Sequence, residues 1–405
     1  MRADAPALPG DALTLSGMKL FLIILALACG GLGIGTGEFA IMGLLPNVAA
    51  SFGVSIPHAG WVITAYAAGV VIGAPLIAVA GAKLSRRRLL LLLMIAFTLG
   101  NFASAAVRNI DQLLIIRFLT GLPHGAYFGV AALVAASLVP LEKRTQAVGY
   151  VMLGLTVATL LGTPIMAILG EALNWRVMFF AVGLIGALTL TLLWLHLPQD
   201  KPTVKASVML ELSAFMRPQV LLTLLLAATG FGGMFSIFSY IAATATDYAG
   251  LSVAMVPVIM VLFGLGMNAG NLIGSRLADK SLMGTIGGML VFNILVMTGF
   301  GLTAHLPWAL CLTIFLLGCT FAAGPAVQTR LMDVARDGQT LAAASMHSAF
   351  NIANGLGAWL GGWVIAAGFG YPATGYVGAA MSVFGLGVFG VSLWLERRAA
   401  HAASQ

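Results

Sequence analysis

The sequence predicts an all-α integral membrane protein: twelve transmembrane helices in two pseudo-symmetric six-helix bundles. Three observations carry this. Of 405 residues, 60% are hydrophobic and only 8% are charged, whereas a soluble domain carries roughly 25% charged residues. Apolar stretches of the length needed to cross a bilayer, about 20 residues, recur along the whole chain. The basic residues between those stretches collect on one side. A soluble core could not hide this much apolar surface, whereas lipid accepts it.

In order, the predicted spans are 20–48, 58–81, 88–107, 112–138, 146–170 and 177–197, then 219–245, 253–276, 283–303, 307–328, 339–368 and 373–395. Alternate loops differ sharply in charge. One side receives 17 of the 20 Lys and Arg residues, from Arg2 and Lys19 through Lys83 and Arg86–Arg88 to Arg397 and Arg398. The other side receives Arg108 and Arg176, and Arg117 lies within a span. Positive charge stays cytoplasmic, so both termini are expected inside. The segment Met1 to Met18 holds Asp4 and Asp11 and lacks a cleavable-signal layout, so it reads as a cytoplasmic tail.

Several functions are disfavoured. Cys29, Cys311 and Cys319 lie within apolar runs, without metal-ligand spacing. No phosphate-cradling loop with its lysine is present, which argues against direct ATP drive. No Ser-His-Asp constellation occupies an aqueous loop, so an enzyme is not expected, nor a cofactor or metal. The formal charge of +7 forms no dense basic tract, and no nucleic-acid partner is expected. Membrane lipid is the expected surrounding, with a monomer as the working unit.

Glu38 is the most informative residue. It lies in an apolar run from Phe21 to Val48 with no opposite charge near it in sequence. A carboxylate at bilayer depth is expensive and usually faces a protein interior or a water path, carrying protons or ions.

The chain also repeats itself. A shift of 197 residues places Gly33, Gly35, Gly53, Ser55, Gly69, Gly73 and Lys83 on Gly230, Gly232, Gly250, Ser252, Gly266, Gly270 and Lys280. It also places Phe118, Leu119 and Gly121 on Phe315, Leu316 and Gly318. The seam is the polar stretch Pro198 to Pro218. The expected units are residues 1–198, a cytoplasmic linker 199–216 and residues 217–405. A parallel repeat of this kind places a substrate site near the midplane between the halves.

With these features the chain resembles the major facilitator superfamily, over all twelve spans. More narrowly it is similar to the bacterial drug:proton antiporter branch of arabinose-efflux and purine-efflux permeases. The similarity lies in Glu38-Phe39-x-Ile41-Met42-Gly43-Leu44-Leu45-Pro46, in Gly121-Leu122-Pro123-His124-Gly125-Ala126 and in Phe350-Asn351-x-x-Asn354-x-x-Gly357. The resemblance implies proton-driven efflux of a sugar, nucleoside or drug-like solute across the inner membrane, with spans 1, 4, 7 and 10 lining a central cavity. Uptake or facilitated diffusion through the same fold is the alternative, and a channel or sensor is disfavoured.

Candidate proton-coupling residues are Glu38, Arg117 and His124. Arg117 could complete a structural ion pair, shift the proton affinity of Glu38 or hold a solute, and the family's helix-4 arginine implies a part in coupling. His124 follows it by seven residues, about two turns and hence on the same face. It is either a titrating group or a hydrogen-bonded packing residue. Candidate solute contacts are Met42, Tyr66, Tyr127, Ser236, Tyr240, His347, Asn351 and Asn354. The last three form a polar stripe, which helix–helix hydrogen bonding would equally explain. Candidate gating residues are Arg86, Arg87, Arg88, Asp279 and Lys280. In the family's gating motif an acid accompanies the basic cluster; here the first copy has Ala82 at the acidic position, whereas Gly274 to Lys280 keeps Asp279. Simple positive-inside anchoring is the other reading of both copies. Gly154, Gly162-Thr163-Pro164 and Gly170 resemble a reduced antiporter motif, with Met166 where a further glycine would stand. Gly69, Gly73, Gly266, Gly270 and Gly274 read as packing, and Pro123 and Pro325 as bends.

Tags at Gln405 and in the 199–216 linker are expected to be cytoplasmic, and a tag beside His305 external. A reporter-fusion assay that found the C-terminal tag outside would overturn the twelve-span topology.

Overall fold

The computed structural model describes residues 17–54, 56–199, 208–336 and 338–402. Residues 1–16 of the proposed N-terminal tail, with Arg2, and residues 200–207 of the linker, with Lys201 and Lys205, lie outside the described residues. Among the described residues are twelve helices long and apolar enough to cross a membrane. They are α1 (Gly17–Gly43), α2 (His58–Ala80), α3 (Arg86–Ala106), α4 (Ile110–Ser137), α5 (Leu141–Gly170) and α6 (Trp175–His196). The second set is α7 (Pro218–Phe238), α8 (Val256–Lys280), α9 (Leu282–Thr303), α10 (Pro307–Ala335), α11 (Gln339–Phe369) and α12 (Ala373–Ala399).

Local chemistry sets several boundaries. Ser85, Asn109 and Asn174 accept backbone N–H groups of Arg88, Gln112 and Arg176, capping α3, α4 and α6; such caps contribute about 1 kcal/mol each. The first span was expected to run to Val48, but α1 ends at Gly43 and a separate short helix, Leu45–Phe52, follows with Pro46 in its first turn. Proline has no N–H to continue the preceding ladder. Span 7 was expected to be continuous over 219–245. Instead it breaks after Gly230, resumes over Gly233–Phe238, and passes into a π turn at Thr244–Tyr248. In α10 a 3-10 turn at Thr320–Ala322 precedes Pro325, and α4 stays helical across Pro123.

The two six-helix bundles share one packing scheme. In the first, α2 packs on α4, α3 on α6, and α1 on α5 and α6; in the second, α8 packs on α10, α9 on α12, and α7 on α11 and α12. The repeat reaches individual atoms. A Cβ on Gly69 would collide with the Phe118 carbonyl oxygen, and one on Gly266 with that of Phe315. Gly121 sits against the Tyr66 carbonyl, and Gly318 against that of Phe263. Each partner pair recurs at the same 197-residue shift. Glycine at these crossings lets the backbones meet, the arrangement that drives helix association where lipid removes the hydrophobic incentive.

Between the bundles, α11 packs on α2 and α4, and α5 packs on α8 and α10. The joining hydrogen bonds run from the basic end towards mid-helix. Arg144 pairs with Asp333 at 2.9 Å, Asn271 donates to the Gly149 carbonyl, and Asn268 meets Thr156. Ser348 donates to the Val71 carbonyl at 3.1 Å. Three runs are buried without interruption: Pro123–Ala136, Thr320–Thr329 and Leu341–Ala349. All three lie in the basic half of their helices. The basic end is therefore closed.

Substituting leucine for Gly69 or Gly266 forces apart two touching backbones. Each change is expected to cost about 1–3 kcal/mol or more, seen as a lower unfolding temperature in detergent. Gly355→Ala, where a Cβ meets nothing within 4 Å, serves as the control and is expected to leave that temperature unchanged.

Candidate functional site

The glycine-rich run of α1 brings a carboxylate into the protein interior. Gly31 and Gly35 lie against α4 and α5, where a Cβ at Gly35 would press on Leu155 and Ala158. One turn on, Glu38 is only 11% exposed. Its Oε2 is 3.9 Å from His124 Nδ1 on α4. The Tyr66 hydroxyl on α2 lies 3.1 Å from the same nitrogen, a hydrogen bond whose direction the imidazole tautomer sets.

Arg117 completes the cluster, though not by the ion pair that sequence left open. No ion pair between Arg117 and Glu38 occurs within 4.0 Å among the described residues. The guanidinium instead lies 4.1 Å from the Tyr66 ring centre and 5.5 Å from that of Phe179. It is 1% exposed, and none of its three nitrogens has a hydrogen-bond partner among the described residues. Stacking on an aromatic face contributes about 2 kcal/mol or more when desolvated. That leaves its donors uncommitted. Tyr66 thus touches both Arg117 and His124, as the shared face of α4 requires.

The cluster extends into the second bundle. His347 on α11 stacks on Phe128 at 4.5 Å between ring centres, and its ring lies 5.3 Å from that of His124. Its Nε2 is buried without a hydrogen-bond partner among the described residues. His347 was expected only as a solute contact; it sits at the joint between the bundles.

The other expected solute contacts divide. Met42 is 38% exposed at the end of α1 away from the basic loops. Asn351 and Asn354 are half-buried on α11, and Asn351 donates to the His347 carbonyl. Tyr240 is half-buried and donates to the Ala358 carbonyl. Tyr127 and Ser236 stand elsewhere than expected, sealed within helix seams. Tyr127 donates to the Leu27 carbonyl and Ser236 to those of Gly233 and Thr374. Both are fully buried, because a hydroxyl in an apolar interior bonds the nearest carbonyl.

At the basic end, Asp279 receives the backbone N–H groups of Thr145 and Gln146, at 2.8 and 2.9 Å. A carboxylate of the second bundle thus caps the α-helical part of α5, which begins at Arg144 after a 3-10 turn, where the helix dipole favours negative charge. Lys280 is exposed. Arg87 donates to the Trp194 carbonyl and lies over its ring, tying α3 to α6. Arg88 is exposed, and Arg86 is half-buried beneath the bundles. Glu211, a residue the sequence did not single out, accepts the Leu341 N–H at 2.8 Å.

Two bundles of one design, closed at one end around a buried ionisable cluster, define a multi-pass membrane carrier for small solutes. The sequence model of the Major Facilitator Superfamily matches residues 27–340, and the chain belongs to that family. It is 40% identical over 363 residues to the inner membrane transport protein YdhP of Escherichia coli K12, spanning 89% of this chain and 93% of that one. It is 32% identical to a chloramphenicol resistance protein of Streptomyces lividans, over 83% and 86% of the two chains. FucP, a superfamily transporter solved in an outward conformation, superposes with a TM-score of 0.75 at 14% identity, over 92% and 99% of the chains.

Replacing Arg117 by alanine is expected to lower transport by about tenfold or more, the scale of losing one interaction with a charged group. Lysine should restore it only in part, because a point charge lacks the stacking plane. Full activity of the alanine variant in vesicle transport assays would remove Arg117 from the mechanism.

Proposed function

We propose that this chain is a proton-coupled secondary transporter that exports a small organic solute across the bacterial inner membrane by alternating access. The observation that carries the reading is Glu38 held beside His124 and Tyr66, next to the uncommitted charge of Arg117. A carboxyl placed there can hold a proton in one conformation and lose it in another, because small changes in its distance to Arg117 and to water alter its proton affinity.

The basic end is read as cytoplasmic under the positive-inside rule. The structure then corresponds to an outward-facing state, inner side closed. Glu38 takes a proton from outside as solute leaves. The bundles rock about the seams of α2–α11 and α5–α8, releasing Asp279 from the start of α5 and Arg144 from Asp333. Glu38 next delivers its proton inside while solute enters from the cytoplasm. In this reading Met42, Tyr240, His347, Asn351 and Asn354 meet that solute, while Tyr66, 2% exposed, acts through Arg117 and His124. Arg86, Asp279 and Lys280 belong to the inner gate, and Arg87 and Arg88 brace it. The unit is a monomer in lipid, with both termini inside and no cofactor.

Export rather than uptake is favoured by the relative named for chloramphenicol resistance, a phenotype that outward transport would produce. A sugar, nucleoside or drug-like solute fits a site with a single uncommitted cation. Chloramphenicol is the first probe: expression in an efflux-deficient strain is expected to raise tolerance.

Glu38→Gln retains shape and hydrogen bonding but cannot titrate. In proteoliposomes holding a pH-sensitive dye, solute-driven proton movement is expected to vanish while solute binding and exchange persist. Undiminished proton movement in that variant would remove Glu38 as the coupling site.

A further inference from the structure

The two ends of the internal repeat close by the same device, but only one half has the expected residue for it. In the second half, Asp279 at the end of α8 caps the second and third residues of the helix beginning at Arg144. The 197-residue shift carries Asp279 to Ala82, which has no carboxylate. The corresponding acceptor is the start of α11, at Gln339. Its second and third residues are Thr340 and Leu341, and Leu341 donates its N–H to Glu211 at 2.8 Å.

We propose that Glu211, on the segment joining the bundles, replaces the carboxylate missing at Ala82 and forms the second latch of the inner gate.

The placement satisfies what a latch needs. The short helix Val208–Ser213 packs against α2 of the first bundle and α11 of the second. Phe215, just beyond it, packs against the cluster that Ala74 and Ala78 of α2 form with Leu341 and Ala344 of α11. Glu211 is 9% exposed and feels the charge of Arg86 at the start of α3. It therefore lies between a cation of the first bundle and a helix start of the second, just as Asp279 ties the end of α8 to a helix start of the first. When the basic end opens, α2 and α11 must part, and Glu211 can keep only one of its two sides. A linker that merely tethered the bundles would have no reason to bury a carboxylate on a helix start.

The inference rests on the reading that the basic end opens in the cycle, and not on the role of Glu38. A cysteine at Ser345, buried near the start of α11, reports opening in a background with Cys29, Cys311 and Cys319 replaced by alanine. Inside-out vesicles are treated with a membrane-impermeant maleimide and the labelling rate is measured. Glu211→Ala is expected to raise the rate about tenfold, the scale of losing a hydrogen bond to a charged group. Glu211→Gln, which keeps an accepting oxygen without charge, is expected to fall between. The decisive variant adds Ala82→Asp to Glu211→Ala, restoring the acid where the repeat places it, and is expected to return the rate to its starting value. Asp279→Ala is the positive control for gate opening. If Asp279→Ala raises labelling and Glu211→Ala does not, the latch is overturned while alternating access stands. If neither raises it, both fail. A raised rate that Ala82→Asp leaves raised also overturns the replacement. Monodisperse elution in detergent establishes that each variant is folded.

Discussion

Lipid cannot solvate charge, and most of this architecture answers that constraint. A carboxylate and a guanidinium in mid-span are tolerable only inside the protein, so α1, α2 and α4 must enclose them. Enclosure in turn needs close backbone crossings, which glycine alone permits, at Gly31 and Gly35 in α1 and at Gly69 and Gly121 between α2 and α4. Arg117 shows how far enclosure goes. Its charge is met by the aromatic faces of Tyr66 and Phe179, while its donors stay uncommitted. The molecule thus holds a cation that an incoming acceptor, or a nearer Glu38, would stabilise.

The same economy governs the closed end. No large salt-bridge network holds it shut among the described residues; the polar contacts there are helix starts, a few amide side chains and the Arg144–Asp333 pair. A helix start offers unpaired N–H groups whatever its sequence, so one carboxylate holds it by a charge-assisted bond that water can replace when the bundles part. Contacts of this kind are worth about 1.5–3 kcal/mol each. That is strong enough to bias a two-state equilibrium and weak enough for ligand binding to reverse it.

Hydropathy is local, so the twelve spans and the charge sorting were legible in the sequence, as was the repeat that places equivalent glycines on equivalent crossings. Glu38 and Arg117 were visible because a charge in an apolar run stands out. What lay beyond sequence were contacts between helices far apart in the chain. Nothing in the order of residues says that His347 meets His124, or that Tyr127 spends its hydroxyl on Leu27. The breaks in α7 also came from tertiary fit, since Gly233 packs directly on the backbone of Gly378. Glu211 was hidden for a different reason: a glutamate in a polar linker looks solvated until the linker is seen folded under α11. The missing acid at Ala82, however, was legible in the repeat itself.

The chain His124–His347 gives the two constraints a common point. His124 belongs to the first bundle and touches Tyr66 at the Glu38 cluster, while His347 belongs to the second and leads, through the buried run from Leu341, to the helix start held by Glu211. One helix, α11, thus borders the ionisable cluster and forms part of the closed end. A rigid helix transmits a shift at one point to the other, because packed interiors rearrange between discrete states and do not deform smoothly. A link between the Glu38 cluster and the closed end then needs no long pathway. Displacing α11 from α4 at the histidine pair also displaces its start from the linker.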